Sequence, residues 1–183
     1  MAKARRNEGK PRRKGRTKRP TTTTCVLAAA GTAILALAGV RVAQRSSLPG
    51  EAFGSQGNQH IADVGVAHPD YNSDPPTSGW HVGSIVNWGA YDYVVPDELL
   101  LHNLEDGGVV LWYAIGSPEQ NRDHIDALQQ VARGYRDVVI APREGMPTPY
   151  AATAWQRLQR FDELQPDAMR AFLDAFEGVD RHN

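Results

Sequence analysis

The chain has 183 residues with 20 Lys+Arg and 21 Asp+Glu, so its formal charge of −1 is close to neutral. This total hides an asymmetry, because ten of the basic residues and only one acid, Glu8, lie in residues 1–20. All aromatic residues follow residue 52, so a packed core is possible only in the C-terminal part, whose length suits one domain. The composition excludes a collagen, a coiled coil, a disulfide-rich mini-protein and a multidomain enzyme.

Residues 21–40 contain no charged residue and have an apolar centre. Twenty helical residues span about 30 Å, roughly the hydrocarbon thickness of a bilayer. We therefore predict a single transmembrane helix over 21–40 in a single-pass cell-membrane protein. The basic tail 1–20 would stay in the cytoplasm, where it contacts anionic lipid, and the C-terminal domain would lie outside the cytoplasm. A cleaved signal peptide is the alternative.

The remaining segments follow from composition. Residues 41–58 are polar and carry Gly, Ser and Pro, which predicts a linker, followed by an exported globular domain over 59–178 and a tail over 179–183. The basic tail has no aromatic residue for base stacking, so we expect no nucleic-acid partner. The single cysteine, Cys25, lies within the predicted membrane helix, so we expect neither a disulfide nor a thiolate metal site in the domain.

Apolar patterns in the domain alternate between helix and strand. Runs rich in β-branched and aromatic residues predict three strands: 109–115, 137–141 and 151–155. Proline and capping signals predict three helices: one over 97–104, one opened by the capping box Ser117-Pro-Glu-Gln120, and one opened by Pro166. We therefore predict an α+β fold, a small α/β sandwich with the order strand-helix-strand-turn-strand-helix and a possible thioredoxin-like topology.

Aromatic residues give two further expectations. The stretch 69–96 contains Pro75-Pro76, which excludes a helix there, but its many aromatic residues indicate an ordered loop that packs on the domain. Trp112 and Trp155 lie in the apolar runs and are expected in the core. The aromatic loop 71–93 could also present a protein-binding surface.

Several short motifs occur in one order along the domain. They are Gln59-His60-Ile61, Asp74-Pro-Pro-Thr-Ser-Gly79 followed by His81, Gly89-Ala-Tyr91, His102-Asn-Leu-Glu-Asp-Gly107, Val109-Val-Leu-Trp-Tyr113 and Ala154-Trp155. Together they resemble the bacterial domain of unknown function 3105 family. The resemblance implies a membrane-anchored or exported domain and no assigned reaction. The family block usually reads His-x-Leu-Glu-His-Gly, whereas this chain has Asp106 in place of the second His.

Histidines and carboxylates in these motifs form the candidate site. His102, Glu105 and Asp106 share one face of the predicted helix and its end, because they are spaced i, i+3 and i+4. His60 and His81 come from the blocks that resemble the family. We hypothesise that the three histidines, with Glu105 or Asp106, surround one metal ion, zinc or copper. Alternatively, His102 and Glu105 hydrogen-bond the backbone of loop 74–81 and hold it onto the helix.

Three functions remain open at this point. The first is a non-enzymatic module of the cell envelope that binds a metal or a protein partner, with no catalytic residue assigned. The second is a metal-dependent hydrolase that uses His102 and Glu105, and the third is an interaction domain that uses the aromatic loop 71–93. The other histidines, His68, His124 and His182, are expected to be exposed to solvent.

Overall fold

The computed structural model describes residues 48–180. The predicted basic tail, the predicted transmembrane helix and residues 41–47 lie outside the described residues. Among the residues described, no helix is both long and apolar enough to cross a membrane. Residues just after Leu48 already belong to the compact unit, because they form an edge strand of the sheet.

The centre of the domain is a mixed six-stranded sheet. In sequence order its strands are β1 (Glu51–Ala52), β4 (Gly89–Ala90), β5 (Val109–Ala114), β6 (Val138–Arg143), β7 (Tyr150–Ala154) and β8 (Arg157–Phe161). Their order across the sheet is β1-β8-β7-β5-β6-β4, with β6 parallel to both of its neighbours and the other pairs antiparallel. A separate parallel pair is formed by β2 (His60–Ile61) and β3 (His81–Val82).

Three helices pack on this sheet. They are α1 (Asp97–Glu105), α2 (Pro118–Val131) and α3 (Pro166–Phe176). The predicted capping box is confirmed at the start of α2. The backbone N–H of Gln120 donates to Ser117 Oγ, and the backbone N–H of Ser117 donates to Oε1 of the Gln120 side chain. The three predicted strands and the three predicted helices all exist, so the α+β prediction is confirmed.

Side chains alternate between the two faces of β5, which is buried on both sides. Leu111 and Tyr113 belong to a core with α2 and α3, whereas Val110 and Trp112 belong to a second core with α1. The sheet therefore lies between α2 and α3 on one face and α1 on the other. Trp112 and Trp155 are buried in the second core, as predicted.

Strand β8 has no counterpart among the predicted elements. It forms a hairpin with β7, and the turn places Gln156 at a φ of 62°, a conformation for which Gly or Asn is the usual signal. Two tertiary hydrogen bonds hold this turn: the Gln156 N–H donates to the Thr77 carbonyl at 2.8 Å, and the Phe53 N–H donates to the Gln156 carbonyl at 3.0 Å. Thr77 itself is fully buried, which confirms that the proline-rich loop packs on the domain.

Candidate metal centre

Two separate pieces of secondary structure bring the candidate residues together. His60 and His81 are register partners in the parallel pair β2 and β3, and partners in neighbouring strands point to the same face about 4.8 Å apart. His102 and Glu105 lie one helical turn apart on α1, so they also share a face. The helix face and the strand pair meet, and the four side chains converge.

The distances within this cluster are short. His81 Nε2 lies 3.0 Å from Glu105 Oε2 and 3.1 Å from His102 Nδ1. Glu105 Oε2 lies 3.6 Å from His60 Nε2 and 3.7 Å from His102 Nδ1. The three imidazole centroids are 5.0, 5.0 and 5.2 Å apart. One potential ligand atom from each of the four residues lies within 4.8 Å of all the others.

Glu105 is fully buried within the cluster, with a side chain that is 0% exposed. Its two oxygens have different neighbours. Oε1 accepts a hydrogen bond of 2.7 Å from the Asn58 side-chain amide, while Oε2 faces the imidazole nitrogens. The carboxylate is therefore held with one oxygen directed at the centre of the cluster.

The hydrogen bonds of His81 identify its tautomer. Its Nδ1 lies 2.7 Å from the Gly79 carbonyl oxygen, which can only accept, so Nδ1 carries the proton and donates. In the neutral ring Nε2 then has a lone pair, and this lone pair is directed at Glu105 Oε2 and His102 Nδ1. Backbone carbonyls commonly fix ligating histidines in this way.

His102 has a carboxylate near the ring nitrogen that points away from the cluster centre. Asp106 Oδ1 lies 3.8 Å from Nε2 of His102, whereas Nδ1 faces His81. Burial lowers the pKa of His102, which favours the neutral ring, and the nearby Asp106 charge opposes this shift. Asp106 is thus placed to interact electrostatically with His102 rather than to reach the centre of the cluster.

The structure brings together four of the five predicted ligands: His60, His81, His102 and Glu105. Asp106 lies beside them and is not one of the converging groups. Sequence reasoning missed Asn58, which it assigned to the linker, because no local pattern relates that residue to Glu105. The side chain of His81 links the loop to the site, because its Nδ1 donates to the Gly79 carbonyl and its Nε2 lies 3.0 Å from Glu105 Oε2.

The other histidines lie outside the cluster. His68 and His124 are partly buried rather than exposed as expected, since His68 packs on Tyr71 and His124 bonds the Tyr150 hydroxyl at 2.7 Å. His182 lies outside the described residues.

The aromatic loop 71–93 is divided between core and surface. Tyr71, Trp88 and Tyr91 pack against the core on the α1 side, whereas Trp80 and Tyr93 are 37% and 61% exposed. The loop therefore presents two separate aromatic side chains to solvent.

Neutral imidazoles and a carboxylate are ligands that zinc and copper accept, and the four converging atoms could hold one such ion.

Comparison with known proteins identifies the family of the chain. No curated protein and no solved structure matches the chain. The family described as "Protein of unknown function (DUF3105)" matches residues 66–182, which include His81, His102 and Glu105 but not His60. Because this match covers more than half of the sequence, the chain belongs to the domain of unknown function 3105 family.

Proposed function

We propose that the domain is a metal-binding module that holds one zinc ion through His60, His81, His102 and Glu105. The observation that carries this proposal is the meeting of imidazole nitrogens and a buried carboxylate oxygen around one point. Zinc–nitrogen bonds of about 2.0–2.1 Å place tetrahedral ligand atoms roughly 3.4 Å apart. Four of the six separations among the converging atoms are 3.0, 3.1, 3.6 and 3.7 Å, which bracket that value, and all six are at most 4.8 Å.

Electrostatics also support a cation at this point. When Nδ1 of His81 carries the only proton of the ring, the Nε2 lone pair faces a carboxylate oxygen at 3.0 Å. Two electron-rich atoms at this distance repel each other unless a proton or a metal ion lies between them. A proton can be shared by two of the four converging atoms, whereas one metal ion can bind all of them.

The ligand set favours zinc over copper. Zinc readily adopts tetrahedral coordination by imidazole and carboxylate, whereas Cu²⁺ prefers a tetragonal arrangement. The purified full chain in detergent should bind about one Zn²⁺, measured by titration calorimetry and elemental analysis. His102→Ala should abolish this binding, while His124→Ala, which changes a histidine outside the cluster, should preserve it. Equal binding by both variants would rule out the assigned ligands.

The hydrolase alternative receives less support from the surroundings of Glu105. A metal-dependent hydrolase needs a carboxylate that can take a proton from a metal-bound water. Here one oxygen of Glu105 accepts the Asn58 amide and the other faces His81. These contacts suit a ligand better than a general base.

We further propose that this module is anchored outside the cytoplasm by a transmembrane helix over 21–40. The support is the charge-free apolar segment that follows ten basic residues. A reporter fused after Asn183 should be active only outside the cytoplasm, and mass spectrometry should recover an uncleaved N-terminus. A mature chain that starts near Gly39 would instead indicate a signal peptide.

The order of the strands supports a thioredoxin-like core, which we also infer. Strands β6-β5-β7-β8 lie side by side, with α2 joining the parallel pair and α3 following the antiparallel hairpin. A turn over residues 144–149 replaces the helix that would join β6 to β7 in such a core. A solved structure of the domain that superimposes on a thioredoxin-like core through these elements would confirm the inference.

A further inference from the structure

We propose that the zinc site is a transfer site, which exchanges its ion with an external nitrogen or sulfur donor that enters at His60. This inference rests on the proposed function, because it requires that the four-residue cluster binds a metal. It adds a direction of access and a class of partner: a small chelator or a protein that presents an imidazole or thiolate. A purely structural zinc site keeps its four protein ligands, whereas a transfer site must release one of them to an entering donor.

The four ligands differ sharply in exposure. The side chains of His81 and Glu105 are 0% exposed and that of His102 is 12% exposed, whereas His60 is 49% exposed. Three ligands are therefore part of the packed domain and one forms its outer surface. Among the described residues, the side of His60 is therefore the most exposed approach to the ion for an entering donor.

His81 and Glu105 are held more firmly than His60. His81 is fixed by Gly79 at Nδ1, and Glu105 is fixed by Asn58 at Oε1. His60 lies in a two-residue strand, and its ring lies beside Gly83, where an added Cβ would be 3.1 Å from Nδ1. Because Gly83 has no side chain, only its backbone lies against the ring of His60, and no side chain from that residue covers the ring.

The backbone under His60 need not move when the ring leaves. The Gly79 N–H donates to the Gly57 carbonyl at 3.1 Å, and the His81 N–H donates to the Gln59 carbonyl at 3.0 Å. These bonds keep the segment in register with β3 while the side chain of His60 rotates into solvent. The inner ligands would stay in position for the next ion.

The exchange is a ligand substitution without redox chemistry. The lone pair of the entering donor forms a bond to the ion, and the bond from the ion to Nε2 of His60 breaks. Further donors from the same partner then replace the remaining three ligands. The charge on the ion does not change, and the displaced imidazole remains neutral or takes a proton from water.

Two measurements on the purified full chain test this path. Zinc transfer to a chromophoric chelator should proceed at a rate that rises in proportion to chelator concentration, because the chelator takes part in the slow step. A rate that does not depend on chelator concentration would overturn the proposal, because the ion would then leave an enclosed site by itself.

The second measurement locates the entry point with Co²⁺, whose visible spectrum reports tetrahedral ligands. Added imidazole should shift the spectrum of Co²⁺-loaded His60→Ala and saturate, because it occupies the vacated outer position. His81→Ala, the matched control, should show no saturable shift, since its position is enclosed. Saturation in His81→Ala but not in His60→Ala would overturn the assignment of the entry side.

The two proposals fail in different ways. If the unaltered chain binds neither Zn²⁺ nor Co²⁺, the proposed function itself is refuted, and the transfer proposal falls with it. If the unaltered chain binds one ion but neither the chelator dependence nor the imidazole response occurs, only the transfer proposal is refuted.

Discussion

Trp112 tests the packing on which the proposed metal-binding face depends. The side chain is 1% exposed and lies in the same core as α1, the helix that carries His102 and Glu105. Its indole N–H donates to Thr153 Oγ1 at 2.8 Å, and the Arg143 guanidinium lies 5.3 Å from its ring centroid. Trp112→Ala removes the ring, the donor and the surface under Arg143 together.

Trp112→Ala should strongly lower the free energy of unfolding. Loss of a buried tryptophan side chain and formation of a cavity cost about 3–5 kcal/mol. The lost buried hydrogen bond to Thr153 adds about 1 kcal/mol, so Trp112→Ala should cost about 4–6 kcal/mol. Trp112→Phe keeps a ring beneath Arg143 but leaves Thr153 without its donor, so its cost should be about 1–3 kcal/mol.

Urea unfolding followed by far-UV circular dichroism measures both free energies. Domains of this kind have a total stability of roughly 5–15 kcal/mol, so the Phe variant gives a value even where the Ala variant is largely unfolded. Trp80→Phe is the matched control, because Trp80 is exposed and its change should stay within about 0.5 kcal/mol. A loss below about 1 kcal/mol for Trp112→Ala would show that the indole is not buried in this core.

Three further changes test electrostatics. Arg143 pairs with the largely buried Asp97 at 2.5 Å. Arg143→Met should therefore cost about 1–3 kcal/mol of stability in urea unfolding, because it leaves that carboxylate without its cation. Adding Asp97→Asn should recover part of this loss, and no recovery would show that the pair is not the cause. Burial lowers the pKa of His124 below 6.5, so near that pH the folded chain binds fewer protons than the unfolded chain. The contribution of His124 to stability is therefore present above pH 6.5 and is lost as pH falls toward the folded-state pKa. In metal-free protein, His124→Gln should therefore reduce the acid-induced loss by at most about 1.4 kcal/mol per pH unit, and identical pH profiles would contradict the shift. Asp106→Asn should weaken zinc binding in calorimetry about 10-fold or more by removing the charge beside His102, whereas unchanged affinity would show that Asp106 does not act on the site.

Sequence reasoning located the elements whose signals are local. The runs at Val109 and Val138 are apolar without interruption because both strands are central and buried on both faces. The capping box at Ser117 is likewise complete within four residues. Such features need no knowledge of distant partners, and this is why the helices and the central strands could be predicted.

Elements that depend on tertiary partners were missed. Strand β8 alternates polar and apolar residues, and the turn before it uses Gln156 where a local rule would require Gly or Asn. That turn is stable because Thr77 and Phe53 bond its backbone. The short strands β1 to β4 have two residues each, too few for any periodic pattern.

The candidate site was predictable in its residues but not in its geometry. His60 and His81 could be named because they lie in motifs that resemble the family, yet only the register of β2 with β3 makes them neighbours. The contact of Asn58 with Glu105 depends on the same docking of strand pair and helix. No spacing within one segment contains that information.

The candidate ligands come from three separate segments, β2, β3 and α1, so a bound ion would cross-link these segments. The chain's only cysteine is Cys25, so no disulfide can tie the segments of the described domain together. An ion bound by both His60 and His102 would close a loop of roughly 40 residues, which in the chain-entropy treatment of cross-links corresponds to about 4 kcal/mol. The ion would then act as a removable cross-link, and the free energy of unfolding of the domain would rise with the free zinc concentration of its surroundings.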